Sequence, residues 1–193
     1  MSIYTILLFL HVSGDIGLFF GLGIQLLSLA ALRRVKRVEQ ARVITRLIAI
    51  ADPIGVISAL LTIATGLYMA NTVWGLRTGW IAVALASIVL FIPPVIGLVI
   101  EPRTRAIVST AREEPDGPLQ ETFYAKVNDP VLGTALQTMA VLYLGIVFLM
   151  TNKPSLAGAI ITIVIALVTG LVSGVPLWWG GGGRMKHRRD GLL

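Results

Sequence analysis

His11 and Asp15, an imidazole and a carboxyl group, lie four positions apart inside a long apolar stretch. At helical spacing they sit one turn apart on one face. A charged Asp deep in a membrane helix costs about 2.5–3.5 kcal/mol on insertion scales, so it must be paired, hydrated or protonated. A neighbouring imidazolium favours the carboxylate, whereas burial favours the neutral acid. A pair pulled in both directions can exchange a proton. The plainer reading is a polar clamp, in which Asp15 fixes the tautomer of His11 and both hydrogen-bond to other helices. On sequence alone the two readings stand level.

At 1.5 Å per residue, His11 lies roughly 12 Å below the start of its helix and Asp15 roughly 18 Å. On the same count Thr62 and Ser87 reach about the depth of His11, and Gln137 about that of Asp15. These three are the expected polar lining of a proton, ion or ligand site, and no catalytic residue is assigned. The chain has no phosphate-cradling glycine loop with its lysine, no HExxH and no nucleophile elbow. Its 2 histidines, one of them His187 in the tail, exclude a multi-histidine metal site within one chain. Haem b would need His11 with Met69, Met139 or another ligand, or His11 from two subunits. No cysteine is present, which removes thiolate metal sites and thiol catalysis.

The elements that must hold these groups are membrane helices. Of 193 residues, 55% are hydrophobic and only 13% charged, against about a quarter charged in soluble domains. Apolar runs long enough to cross a bilayer fall at roughly 3–32, 50–71, 79–100, 131–151 and 155–178. The fold expected is all-α, a five-helix membrane bundle over residues 1–179. The first run is read as a retained helix, since it is too long for a signal peptide and lacks a basic leader. Of the 16 basic residues, all but Arg77 and Lys153 fall after the first, third and fifth runs. By the positive-inside rule the N-terminus is outside and the C-terminus cytoplasmic. The partners expected are the lipid bilayer and, at the basic loops, anionic headgroups; a nucleic acid is not among them. Trp74 and Trp80 fall at the outer interface, Trp178 and Trp179 at the inner one.

Val35–Ile50 has apolar residues at helical spacing beside its arginines, and is expected to lie along the inner leaflet before turning into the second span. Residues 101–129 form a cytoplasmic loop with a turn cluster at Glu113–Pro118 and a short amphipathic helix at Leu119–Asn128. Residues 180–193 read as a flexible linker and basic tail. Asp52-Pro53 and Asp129-Pro130 both have the form of helix caps, a weak internal echo. Gln25 and Asp52 read as capping or snorkelling residues near the headgroups. Pro93 and Pro94 should kink the third span. Ser13, Gly17 and Gly21 form a small-residue ladder, placed roughly opposite the His11/Asp15 face, and Gly170 with Gly174 a second one. Such ladders let helices approach closely, within the chain or across a homo-oligomer.

Leu8-Phe9-Leu10-His11-Val12-Ser13-Gly14 resembles the FLHVxG opening of a prokaryotic family of predicted integral membrane proteins, domain of unknown function 2269. Thr65-Gly66-Leu67-Tyr68 and Gly79-Trp80 are similar to that family's later pattern, so the resemblance covers most of the chain. It implies a small multi-span protein of the cytoplasmic membrane with a recurrent His in its first span, and it brings no activity. The first functional reading is transport of a proton, metal ion or small solute through the His11/Asp15 pair. The second is a membrane redox subunit with His11 as haem or metal ligand. The third is a structural or assembly subunit of a membrane complex.

Overall fold

The computed structural model describes residues 2–189, with side chains as far as residue 177. Its helices are α1 (Ile3–Leu32), α2 (Val38–Met69), α3 (Gly79–Pro94), α4 (Glu101–Glu113), α5 (Glu121–Val127), α6 (Pro130–Asn152) and α7 (Leu156–Arg189). Five helical stretches are long and apolar enough to cross a membrane, and the chain is an all-α, multi-pass helix bundle. The bounds of α7 take in Gly180–Gly183, where the sequence suggested a linker. The side chains of Trp178, Trp179 and the basic tail lie outside the described residues.

α1 and α2 are joined by a short turn and run antiparallel along their whole length. The buried positions of α2 are Val38, Ala41, Thr45, Ile48, Ala51, Ser58, Thr62, Thr65 and Met69. That stripe steps by three or four residues from one end of the helix to the other, so one face stays against its neighbours throughout. Here the structure corrects the sequence reading. Val35–Ile50 does not turn into a separate second span, because α2 runs unbroken from Val38 and carries Pro53 in its interior. Asp52 is therefore no cap. Its carboxyl accepts a hydrogen bond from Gln25 Nε2 at 2.9 Å, tying α1 to α2. Asp129 does cap α6, accepting from the Val131 amide at 2.8 Å, with Pro130 in the first turn. The echo between the two Asp-Pro pairs thus stops at the sequence.

The glycine seam also shifts by one residue. A Cβ on Gly14 would stand 2.3 Å from Thr62 Oγ1, and one on Gly17 2.1 Å from Ser58 Oγ. Gly14, Gly17 and Gly21 therefore lie against α2 inside the chain, on the face that carries His11. Ser13 is outside that seam and donates to its own helix, at Phe9 O. Gly170 and Gly174 meet Thr138 and Thr134 of α6 in the same way.

α6 is the central helix, with 50% of its apolar window buried against 17–22% in the other four spans. Pro93 and Pro94 close α3 without ending it. A wide π-helical turn over Val95–Ile100 follows, in which the Glu101 amide reaches back to Ile96 O, and the helix runs on into α4. α4, α5 and the turn between them fold as a cap over the arginine-rich end. Ile107, Ala111, Phe123 and Val127 bury beside Leu32 and Val38. Arg42 donates to Ala111 O, Glu114 O and Asp116. A single antiparallel bridge joins Arg37 to Pro118, and the Tyr124 hydroxyl donates to Val35 O at 2.8 Å. At the opposite end Lys153 Nζ sits 4.2 Å from the Trp74 ring, which meets Trp80 edge-on.

Forcing a side chain into a closed helix seam costs about 1–3 kcal/mol. Gly14→Leu is expected to lower the unfolding free energy in detergent by at least that much. Gly23→Ala, where a Cβ meets nothing within 4 Å, should stay within about 0.5 kcal/mol of wild type. Equal midpoints for the two variants in a thermal scan would contradict the seam.

Candidate functional site

The site is built across the α1/α2 seam. His11 is buried, and its ring packs against Gly66, where a Cβ would come within 2.7 Å of Cε1. Its Nδ1 is 2.9 Å from the backbone carbonyl of Thr62 and 3.2 Å from Thr65 Oγ1. A carbonyl oxygen only accepts, so Nδ1 carries the hydrogen and donates. The Thr65 hydroxyl gives its own proton to Leu61 O at 2.6 Å, which leaves its lone pairs toward the imidazole.

With Nδ1 committed, all the acid–base capacity of His11 rests on Nε2. That nitrogen faces Asp15, at 3.9 Å from Oδ2. The separation is too long for a hydrogen bond and short enough for strong coupling. Two unit charges about 4 Å apart attract by about 4 kcal/mol at an effective dielectric of 20. Ionising Asp15 inside a membrane costs about 2.5–3.5 kcal/mol. An imidazolium at this distance would therefore offset much of the cost of holding a carboxylate at this depth.

Asp15 is the less enclosed of the two, with 23% of its side chain exposed against 9% for His11. It lines a cavity of ≈ 60 Å³ between α1, α2, α3 and α6. The other walls are mainly apolar, among them Phe19, Ala59, Ile63, Ile88 and Ile146, with Tyr143 beside them. Thr62 also lines it. Its hydroxyl is buried and interacts with the Asp15 carboxyl group. Phe19 and Tyr143 meet edge to face with ring centres 6.1 Å apart.

Of the residues read from the sequence, His11, Asp15 and Thr62 come together. Ser87 is buried on α3, but its hydroxyl donates to Val83 O of its own helix at 2.8 Å. Gln137 sits at the α6/α7 contact, where its carbonyl accepts from Ser173 Oγ at 3.3 Å. Depth along an axis was the only signal for these two, and it does not specify which way a side chain turns. Thr65, Gly66, Gly14 and Tyr143 were missed as parts of this site. Thr62, Thr65 and Gly66 fall at three- and four-residue steps on one face, which could have marked them.

These surroundings do not fit a haem. Asp15 lies next to the free nitrogen of His11, and the adjoining cavity is far smaller than the roughly 300 Å³ at the lower end for drug-sized ligands, let alone a haem. Among the described residues no three His, Cys, Asp or Glu side chains gather as a metal site.

Five membrane-crossing helices around a buried His–Asp pair define a multi-pass integral membrane protein. The chain belongs to the family DUF2269, described as predicted integral membrane proteins, whose profile matches residues 5–154. That region contains the pair and every cavity residue, while α7 lies beyond it. Neither the curated proteins nor the solved structures compared with the chain match it.

If the two groups share a proton, their substitutions should not add. A double-mutant cycle on His11→Phe and Asp15→Asn, followed by unfolding in detergent, is expected to give a coupling of about 1 kcal/mol or more. Additivity within about 0.3–0.5 kcal/mol would show two independent groups.

Proposed function

We propose that the protein moves protons across its membrane, with His11 and Asp15 as the proton-binding station. The observation that carries this reading is the commitment of His11 Nδ1 to the Thr62 carbonyl, which leaves Nε2 facing Asp15 as the single exchangeable position. A clamp in which Asp15 fixes the tautomer of His11 calls for a direct hydrogen bond between them, whereas here Nε2 and the carboxyl oxygen stand 3.9 Å apart.

The remainder of the seam supports a route toward the arginine-rich end. Ser58 lies along it, and then the Gln25–Asp52 pair. Asp52 borders a cleft of ≈ 380 Å³ that it shares with Glu101, Arg105 and Arg112. Protons collected in such a cleft would reach Asp15 along α1 and α2.

Reconstituted into liposomes enclosing a pH-sensitive dye, the wild-type protein is expected to dissipate an imposed pH gradient. Asp15→Asn should slow this at least tenfold, and His11→Phe should do the same. Equal rates for wild type and Asp15→Asn would reject Asp15 as a carrier of protons and leave the pair as a clamp.

The proposal also sets the membrane and the direction. Fourteen of the 16 basic residues fall beyond the two short hairpin turns, so the arginine-rich end belongs in the cytoplasm of a prokaryotic cell. The chain's lack of cysteine makes this simple to check. In intact cells a membrane-impermeant thiol reagent should label Asn71→Cys and spare Ser109→Cys. The reverse pattern would invert the protein.

A further inference from the structure

We infer that the cavity beside Asp15 binds a small alkylammonium ion, which takes the place of the proton shared by the pair. This rests on the proton-pair reading and names the solute that the same site exchanges. The cavity is a mainly apolar chamber with one carboxyl group on its wall. Buried water needs about two to four polar partners, and apolar cavities do not supply them. Asp15 and Thr62 stand together on one side of this chamber, while Leu18, Ile63, Ile88 and Ile146 make up much of the rest. Such a division suits a ligand with a cationic head and a hydrocarbon body.

The head finds its partners at the polar wall. An ammonium carries three N–H donors and no acceptor. Asp15 can accept one or two of them. The Thr62 hydroxyl is buried and interacts with the carboxyl group through its hydrogen, so its lone pairs can accept another. The rings of Phe19 and Tyr143 border the same space and favour a cation over a neutral group. A volume of ≈ 60 Å³ corresponds to about five water-sized spheres, and so to an amine of roughly five heavy atoms.

Charge balance gives the exchange its sense. The unliganded pair holds one proton between His11 and Asp15 and is neutral overall. When the ammonium docks, His11 keeps its Nδ1 hydrogen and is neutral, Asp15 is ionised, and the shared proton leaves. The buried site stays neutral throughout, with one cation exchanged for another. Inside a membrane this matters, because an uncompensated charge there costs several times the thermal energy.

Equilibrium dialysis of the purified full chain in detergent with radiolabelled n-butylamine, empty micelles being subtracted, tests the inference. One amine is expected to bind per chain, with one proton released into weakly buffered medium. Asp15→Asn should weaken binding at least tenfold, and Ala59→Leu, which fills the chamber from α2, should do likewise. The uncharged isostere n-butanol should not compete. Because Asp15→Asn could disturb folding, Ile63→Val serves as a second variant. It enlarges the chamber and should shift preference toward n-pentylamine. Equal binding by wild type and both blocking variants, effective competition by n-butanol, or an unchanged chain-length preference in Ile63→Val would each overturn the site. Proton flux in amine-free liposomes separates the two ideas. Flux that depends on Asp15 without amine binding would overturn this inference alone. Asp15-dependent amine binding with no proton released would overturn the exchange and the shared proton together.

Discussion

A hydrogen bond between His11 on α1 and the Thr62 carbonyl on α2 ties the first two helices together. It is a contact between a side chain and a backbone, so it requires the two helices to approach closely. Gly14 and Gly17 allow that approach on one side, and Gly66 leaves the space the ring occupies on the other. Within a bilayer the hydrophobic effect does not drive helices together, and close packing with occasional polar ties must hold them. The seam supplies both at once. Its small residues permit contact, and its two ties, His11 to Thr62 and Gln25 to Asp52, fix the register.

The rest of the bundle maintains this geometry. α6 packs against α7 through Gly170 and Gly174 and presents Tyr143 and Ile146 to the cavity at Asp15. The cap of α4 and α5 holds the turn between α1 and α2 through backbone bonds at Lys36 and Val38 and through the Tyr124 hydroxyl. A sliding motion of α1 along α2 would have to break these contacts as well as the seam. Asp15 opens onto the small cavity, while His11 is sealed behind it.

Much of this was legible in the sequence, for identifiable reasons. Apolar runs of membrane length report spans directly, since nothing else tolerates that many consecutive apolar residues. His11 and Asp15 stood out because ionisable groups at that depth are expensive. The errors share one cause. Helical periodicity tells which residues lie on one face, but not which neighbour that face meets. The ladder spacing points to Ser13, whereas Gly14, one position on, is the residue that touches α2. Ser87 and Gln137 have suitable depths and face other partners. Pro53 suggests a helix start because a proline is costly inside a helix. The buried stripe from Val38 to Met69 runs through it, because packing along a whole helix outweighs one lost hydrogen bond.

The central claim is that His11 keeps its hydrogen on Nδ1 and exchanges only at Nε2. Nitrogen-15 magnetic resonance of labelled imidazole in lipid bilayers reads this directly, in a His187→Gln background that leaves His11 as the chain's single histidine. The account predicts an Nδ1–H signal that persists across pH, with Nε2 alone moving between bare and protonated, and that movement displaced in Asp15→Asn. A neutral ring carrying its hydrogen on Nε2, or an Nε2 signal indifferent to Asp15→Asn, would contradict it.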